Sequence, residues 1–402
     1  MREVLSVEEY LAELLAQVAP DARQEQVSLS QAGGATLATA IASPVSIPVF
    51  DNSAMDGYAV RFHEAADAPV RLRVVGDVPA GSAEDPVAGP GECVRIMTGA
   101  PVPGFADTVV PVEDTDGGLS EVAILRAPTR PGTHVRRAGE DIAAGTTVAE
   151  PGAVLTAGVI GALAACGVTS VAVRPRPKVA VCATGDELVA DGSALLRGQI
   201  YESNGPALAA ALSRDGAEVL RSDPARDDPA ALVAWLDAVA TGVDLVVLTG
   251  GVSVGAYDVV RDVLTRADGV FRHVRVQPGR PQGWAHWQGT MVVALPGNPL
   301  SAALSYEVFV RPLLDRLLGR SPRPDDTAVA ALGWASPKDR RQLVPVRLTT
   351  GPDGRLLATP SHVRGSASHT VTSLAAADGF AMVAEDVTEV RPGDLLAVRW
   401  RR

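Results

Sequence analysis

The sequence predicts a multidomain α/β protein: a central three-layer α/β/α domain, an inserted β-rich domain, an elongated N-terminal helical region and a small C-terminal β-barrel. Three observations lead there. From Lys178 onward, strand-like and helix-like runs alternate, the rhythm of a sheet covered by helices on both faces. From Pro44 and Pro48 to about Arg137, short alternating segments rich in Gly and Pro read as mostly β structure. After the Arg320-Ser321-Pro322-Arg323-Pro324 hinge, the chain returns to short strands and turns.

Each element has a local cause. Ser6 and Glu9 form a capping box ahead of Val7, Leu11, Leu14, Leu15 and Val18, which recur at helical spacing. The stretch Val154 to Val173 carries no charge and is long enough to cross a bilayer. It is rich in Ala and Gly, however, and divides into a helix capped by Thr156, a stop at Gly167 and a strand from Thr169 to Val173. Arg174-Pro175-Arg176-Pro177 follows as a stiff joint. Strands are expected at Val179 to Ala183, Glu218 to Arg221, Asp244 to Leu248 and Met291 to Leu295, with helices after Asn204, from Pro229, near Asp258 and from Pro299. The expected domains are 1–44 plus 138–173 (elongated, discontinuous), 45–137 (inserted, β-rich), 174–321 (α/β/α) and 322–402 (β-barrel).

Composition narrows the function. A chain of 402 residues with 47% hydrophobic and 21% charged residues is a globular, multidomain protein. Its net charge of −11 excludes a protein built to coat nucleic acid, which needs concentrated positive charge. Cys93, Cys166 and Cys182 lack the paired spacing of zinc or redox sites, and no signal peptide precedes the first helix. The expected setting is the reducing cytoplasm, with no membrane partner.

Three motifs follow strands of the α/β domain, where open sheets bind their ligands. They are Thr184-Gly185-Asp186-Glu187, Thr249-Gly250-Gly251-Val252-Ser253-Val254-Gly255 and Pro296-Gly297-Asn298-Pro299. Glycine lets backbone N–H groups approach a phosphate, and hydroxyls add donors, so the crevice reads as a site for a phosphorylated or oxyanionic ligand. Asn298 reads equally as a helix cap, with Pro299 at the first helical position. Asp56, Asp186, Glu187, Asp227, Asp228 and Asp258 are acids that an anionic ligand would tolerate only with a divalent cation between, and hard oxygen ligands beside phosphate suggest Mg²⁺. Each has a structural alternative: a hairpin turn at Asp56-Gly57, an N-cap at Asp258, helix-start acids at Asp186 and Glu187, and a turn at Asp228-Pro229.

Five motifs in order, Asp51-Asn52-Ser53-Ala54-Met55-Asp56-Gly57-Tyr58, Ile96-Met97-Thr98-Gly99-Ala100-Pro101, and the three strand-end segments, resemble the MoeA family of molybdopterin molybdenumtransferases, to which the gephyrin E domain is related. The resemblance extends over nearly the whole chain. It implies insertion of molybdenum from molybdate into adenylylated molybdopterin with release of AMP, assisted by a divalent cation. By that resemblance, functional acids fall on Asp56, Glu187, Asp227 and Asp258, and a functional threonine on Thr98. Glu187, Asp227 and Asp258 would hold Mg²⁺. Thr184, Gly185, Asp186, Gly250, Gly251, Ser253, Gly255, Gln277, Arg280, Pro296, Gly297, Asn298 and Pro299 would contact the cofactor precursor. The Arg137-Ala138-Gly139-Glu140-Asp141 segment also looks like the family's. A homodimer is implied, with each active site shared between chains, and so are transient contacts with molybdopterin adenylyltransferase and with apo-molybdoenzymes.

The chain departs from the family at Val276-Gln277-Pro278-Gly279-Arg280-Pro281, where lysines are usual. Neutral Gln277 can hydrogen-bond an oxyanion without balancing its charge, and Arg280 offers a planar fork in place of a point charge. Rival readings are molybdopterin adenylylation on the same α/β fold, a non-catalytic molybdopterin-binding scaffold, and a serine hydrolase, since Gly251-Val252-Ser253-Val254-Gly255 matches a nucleophile elbow. Little room before His273 for the hydrolase's acid argues against the last.

Overall fold

The computed structural model describes residues 4–252, 258–362 and 365–401, apart from the side chains of 221–223. At its centre is a seven-stranded mixed sheet in the order Val4–Leu5, Val270–Val274, Pro281–Trp287, Thr290–Leu295, Leu245–Thr249, Lys178–Thr184 and Glu218–Ala225, the last four strands parallel. Its inner strands are buried on both faces, and the alternation of side chains divides them between two cores. Val179, Val181, Val247 and Val293 meet the helix Asn204–Arg214 and the helical run from Pro299 to Leu317, through Leu208, Leu212, Leu300 and Leu304. Ala180, Cys182, Val246 and Val292 meet the helices Pro229–Val239 and Val259–Thr265, through Leu232, Leu236 and Val260. Three layers therefore follow from the period-two pattern of a doubly covered sheet.

The N-terminal region differs from expectation. It is largely β, with one short helix at each end. The helix Val7–Leu15 has the capping box, with Ser6 N–H donating to Glu9 Oε2 at 2.6 Å and Glu9 N–H to Ser6 Oγ at 3.1 Å. It does not extend an elongated helical module, because Tyr10 and Leu14 are fully buried in the central core and Val4–Leu5 pairs with Val270–Val274. Beyond it the chain alternates, and Glu25–Ser28 and Thr36–Leu37 form a small sheet with Ser170–Arg174. Within the uncharged stretch, the helix Ala157–Ala165 begins at Thr156, whose Oγ accepts from Val159 N–H. Among the described residues no helix is long and apolar enough to cross a membrane.

Between these segments sits a five-stranded sheet in the order Glu121–Ile124, Val70–Val78, Glu92–Ile96, Gly57–Val60 and Thr108–Pro111. At the other end of the chain, Asp326–Ala330, Arg341–Thr350, Leu356–Pro360, Gly379–Val383 and Leu395–Trp400 close into a five-stranded barrel, because Arg341–Thr350 pairs with both Leu356–Pro360 and Gly379–Val383. The short strand Val276–Gln277 of the central domain pairs in parallel with the start of Arg341–Thr350 and so fixes the barrel to that domain.

A buried ionic cluster makes a second attachment. Glu307, 1% exposed, lies in a π-helical turn, Tyr306–Val310, and accepts from Arg311 at 2.6 Å and from Arg214 at 3.1 Å. Arg214 also donates to the Arg401 carbonyl at 2.5 Å. Removing one partner of a buried pair leaves a charge uncompensated. Glu307→Ala is therefore expected to destabilise the fold by about 3–5 kcal/mol, read as a lower chemical-denaturation midpoint, and Glu307→Ala combined with Arg311→Met to recover a large part of that loss.

Candidate active site

The parallel registers set Ala183 beside Thr249 and Thr249 beside Leu295, so three motif loops leave the sheet at one level. Their backbones touch. At Gly250, where φ is +99°, a Cβ would lie 2.6 Å from the Thr184 carbonyl oxygen, and a Cβ at Gly297 would lie 3.2 Å from the Gly250 Cα. Only glycine permits that approach and that backbone conformation at 250. Asn204, at the start of the next helix, joins the loops by donating to Thr249 Oγ1 at 3.0 Å and to the Gly297 carbonyl at 2.7 Å, while Thr249 donates to the Pro296 carbonyl at 3.0 Å.

These loops wall a cavity of about 740 Å³ that also takes in the Val276 to Pro281 segment and, from the barrel side, Arg340, Ser366 and Ser368. Of the residues expected from sequence, Thr184, Gly185, Glu187, Asp227, Gly250, Gly251, Asp258, Gln277, Arg280, Pro296, Gly297, Asn298 and Pro299 line it. Ser253 and Gly255 lie outside the described residues. Asp186 does not line it: its carboxylate accepts from Asp227 N–H at 3.2 Å while Asp227 Oδ2 accepts from Asp186 N–H at 3.4 Å. These two bonds make a clasp between the loops.

Asp56 and Thr98 also lie apart from the cavity of their own chain, on the β-rich domain. There Thr98 donates to Asp56 Oδ1 from both N–H and Oγ1, each at 2.7 Å, and these bonds hold the Asp56 carboxyl below its ordinary range. Two other motifs meet nearby: Asp51 accepts from Arg137 at 2.5 Å and from Ala138 N–H at 2.8 Å.

Several alternatives resolve. Asp228 caps its helix, accepting from Ala230 N–H at 3.0 Å. Asn298 occupies an N-cap position without capping through its side chain, which donates to Ser368 Oγ at 3.1 Å. Asp258 likewise makes no side-chain cap, and its charge is felt at Asp227. Gln277, the neutral replacement, accepts from Arg340 Nη1 at 3.3 Å, so it holds a guanidinium from the barrel at the cavity wall. Asn204, Arg340, Ser366 and Ser368 were not expected from sequence. Asn204 had a signal as the polar opening of a predicted helix, whereas the barrel residues sit in loops without a motif.

Two features mark the cavity as a ligand site. Thr184 Oγ1 is buried and has no hydrogen-bond partner among the described residues, a cost of about 1–3 kcal/mol that a bound polar group would relieve. The Asp227 carboxyl is pushed up by burial and by the charges of Asp186, Glu187 and Asp258, against one opposing backbone hydrogen bond. Among the described residues no three His, Cys, Asp or Glu side chains form a ready-made metal cage.

The comparisons agree with this geometry. Residues 5–167 match the model of the MoeA N-terminal region (domain I and II), 180–316 that of a probable molybdopterin binding domain, and 327–399 that of the MoeA C-terminal region (domain IV). Fold and site thus define a multidomain α/β protein of the molybdopterin-binding class. The chain is 44% identical to molybdopterin molybdenumtransferase 2 of Mycobacterium tuberculosis, over 99% of both chains, and 34% identical to molybdopterin molybdenumtransferase 1 of that organism, over 98% of both. A crystal structure of a molybdopterin biosynthesis MoeA protein from Pyrococcus horikoshii covers 100% of both chains at 33% identity with a TM-score of 0.79. The chain belongs to the MoeA family.

The Asp227 carboxyl holds its proton more tightly in the folded protein than in the unfolded chain. Stability is therefore lost as pH rises from the ordinary carboxylate range through the raised folded value. Asp227→Asn is expected to raise the melting temperature in chelator at neutral pH, measured by differential scanning calorimetry.

Proposed function

We propose that the chain transfers molybdenum from molybdate to the dithiolene of adenylylated molybdopterin in the cavity at the strand ends, releasing AMP. Its family membership makes it a molybdopterin molybdenumtransferase of molybdenum-cofactor biosynthesis. The observation that carries the finer reading is the pairing, in one cavity, of an unsatisfied Thr184 hydroxyl with a carboxyl, Asp227, crowded by other carboxylates.

The chemistry divides among the residues as follows. Thr184 and the glycine loops bind and orient the phosphate bridge between molybdopterin and AMP, because they bring polar groups close without bulky side chains. Asn204 keeps the Thr249 and Gly297 loops in register and so acts as a positioning residue. Arg280 and Arg340 contribute positive charge for a tetrahedral oxyanion, and Gln277 orients Arg340. Glu187, Asp227 and Asp258 would hold Mg²⁺, which when bound neutralises charge developing on the phosphate oxygens of departing AMP.

Asp56 and Thr98 are not among the residues that line their own chain's cavity, and the homodimer implied by the family would bring this β-rich domain to the partner's site. Molybdopterin adenylyltransferase supplies the substrate and apo-molybdoenzymes accept the product. Cys93, Cys166 and Cys182 are buried as thiols, which fits a reducing, cytoplasmic setting.

With adenylylated molybdopterin and Mg²⁺, AMP release is expected to depend on molybdate and to fall at least about a hundredfold in Glu187→Ala, the usual scale for losing a group that positions transition-state charge. Chromatographic quantification of AMP provides the test; binding without AMP release under any oxyanion would contradict the reading.

A further inference from the structure

A second cavity, of about 370 Å³, shares no lining residue with the first. It lies where the N-terminal helix, the helix Arg311–Leu317 and the linker to the barrel meet. One side is apolar, with Leu11, Leu15, Pro20, Pro312 and Pro322. The other carries Arg311, Arg316, Arg320, Arg323 and Arg399, with Asp315 the one acid in the lining. In a chain of net charge −11, five guanidiniums around one cavity need an explanation.

Their partners account for only part of the charge. Arg311 bonds Glu307 at 2.6 Å, Arg399 bonds Asp325 at 2.7 Å and Arg323 bonds Asp215 at 3.3 Å. The hydrogen bonds of Arg316 and Arg320 go to neutral groups: Arg316 to the Val18 carbonyl at 2.6 Å, Arg320 to Thr36 Oγ1 at 2.9 Å and the Asp215 carbonyl at 2.8 Å. Asp315 Oδ1 stands 3.9 Å from Arg320 and 3.8 Å from Arg323, beyond hydrogen-bond distance, and is buried with no hydrogen-bond partner among the described residues. The Asp315 and Arg320 side chains are each only 9% exposed. Burial pushes the Arg320 guanidinium down and the Asp315 carboxyl up, the directions expected of charges that lack full compensation.

We propose that this cavity binds a small organic anion, its carboxylate or phosphate head among Arg316, Arg320 and Arg323 and its apolar body against Leu11, Leu15 and Pro20. The head brings negative charge and paired oxygen acceptors, which the planar fork of arginine can bond two at a time. The body covers the apolar wall, and the volume lies within the range of small-molecule sites. The site is independent of the transferase reaction.

Isothermal titration at low salt, where screening is weak, tests this with phenyl phosphate and benzoate as probes and phenol as the neutral control. Both anions are expected to bind and phenol not to. The double variant Arg316→Gln/Arg323→Gln is expected to weaken anion binding by roughly tenfold or more, the scale of losing charge-assisted hydrogen bonds. Leu15→Trp, which fills the cavity from its apolar side and keeps every arginine, should weaken binding in the same way if the double variant fails to fold. Binding of phenol equal to that of the anions, no binding of either anion, or affinity that follows Arg340→Gln in the first cavity while both second-cavity variants bind normally would overturn the proposal.

Discussion

At Gly250 there is room for a hydrogen and nothing larger, because the Thr184 backbone passes within contact on one side and Gly297 closes on the other. This contact follows from the sheet below it. Three neighbouring parallel strands in matched register end together, and loops leaving them must either splay apart or touch. Touching leaves Thr184 Oγ1 buried and unpartnered, and it gathers Glu187, Asp227 and Asp258 around one cavity. The stability lost to an unsatisfied hydroxyl and to crowded carboxylates is the counterpart of a site already shaped for a charged, phosphorylated ligand.

The barrel completes that site. Pairing of Val276–Gln277 with the Arg341–Thr350 strand brings Arg340 beside Gln277, and Asn298 reaches across to Ser368. The Glu307–Arg311–Arg214 cluster keeps the far side of the barrel in place through the backbone of its last residues. One domain thus supplies the glycine loops and acids, and the next supplies a guanidinium and hydroxyls. A buried ion pair contributes little net stability compared with an apolar contact. Its value here is in fixing one orientation of two domains whose adjoining surfaces hold a cavity.

Much of this was legible in the sequence because the relevant residues sit where chain chemistry changes abruptly. Apolar runs such as Leu245 to Leu248 announce buried strands, and Thr249-Gly250-Gly251 directly afterwards announces a strand-end loop. What stayed hidden depends on long-range contact. Arg340 and Ser368 have no local pattern that distinguishes them from ordinary surface residues, and they matter because strands far apart in sequence pair as they do. Asp186 and Glu187 are neighbours in one motif, yet one clasps a loop and the other lines the cavity, a difference of side-chain direction that composition does not encode. The N-terminal helix was visible through Ser6 and Glu9, whereas its docking on the central sheet through Tyr10 and Leu14 was not, since an amphipathic face does not name the surface that covers it.

In the proposed dimer, a complete site needs carboxylates from the α/β domain of one chain and the Asp56–Thr98 pair of another. Subunit exchange tests it most directly: Asp56→Asn protein, inactive alone, is mixed with Glu187→Ala protein, inactive alone, and molybdate-dependent AMP release is followed. A shared site predicts recovery to about a quarter of wild-type activity, because half of randomly mixed dimers are hybrids and each hybrid has one intact site of two. No recovery after exchange has been verified would contradict it and would place all the required groups within a single chain.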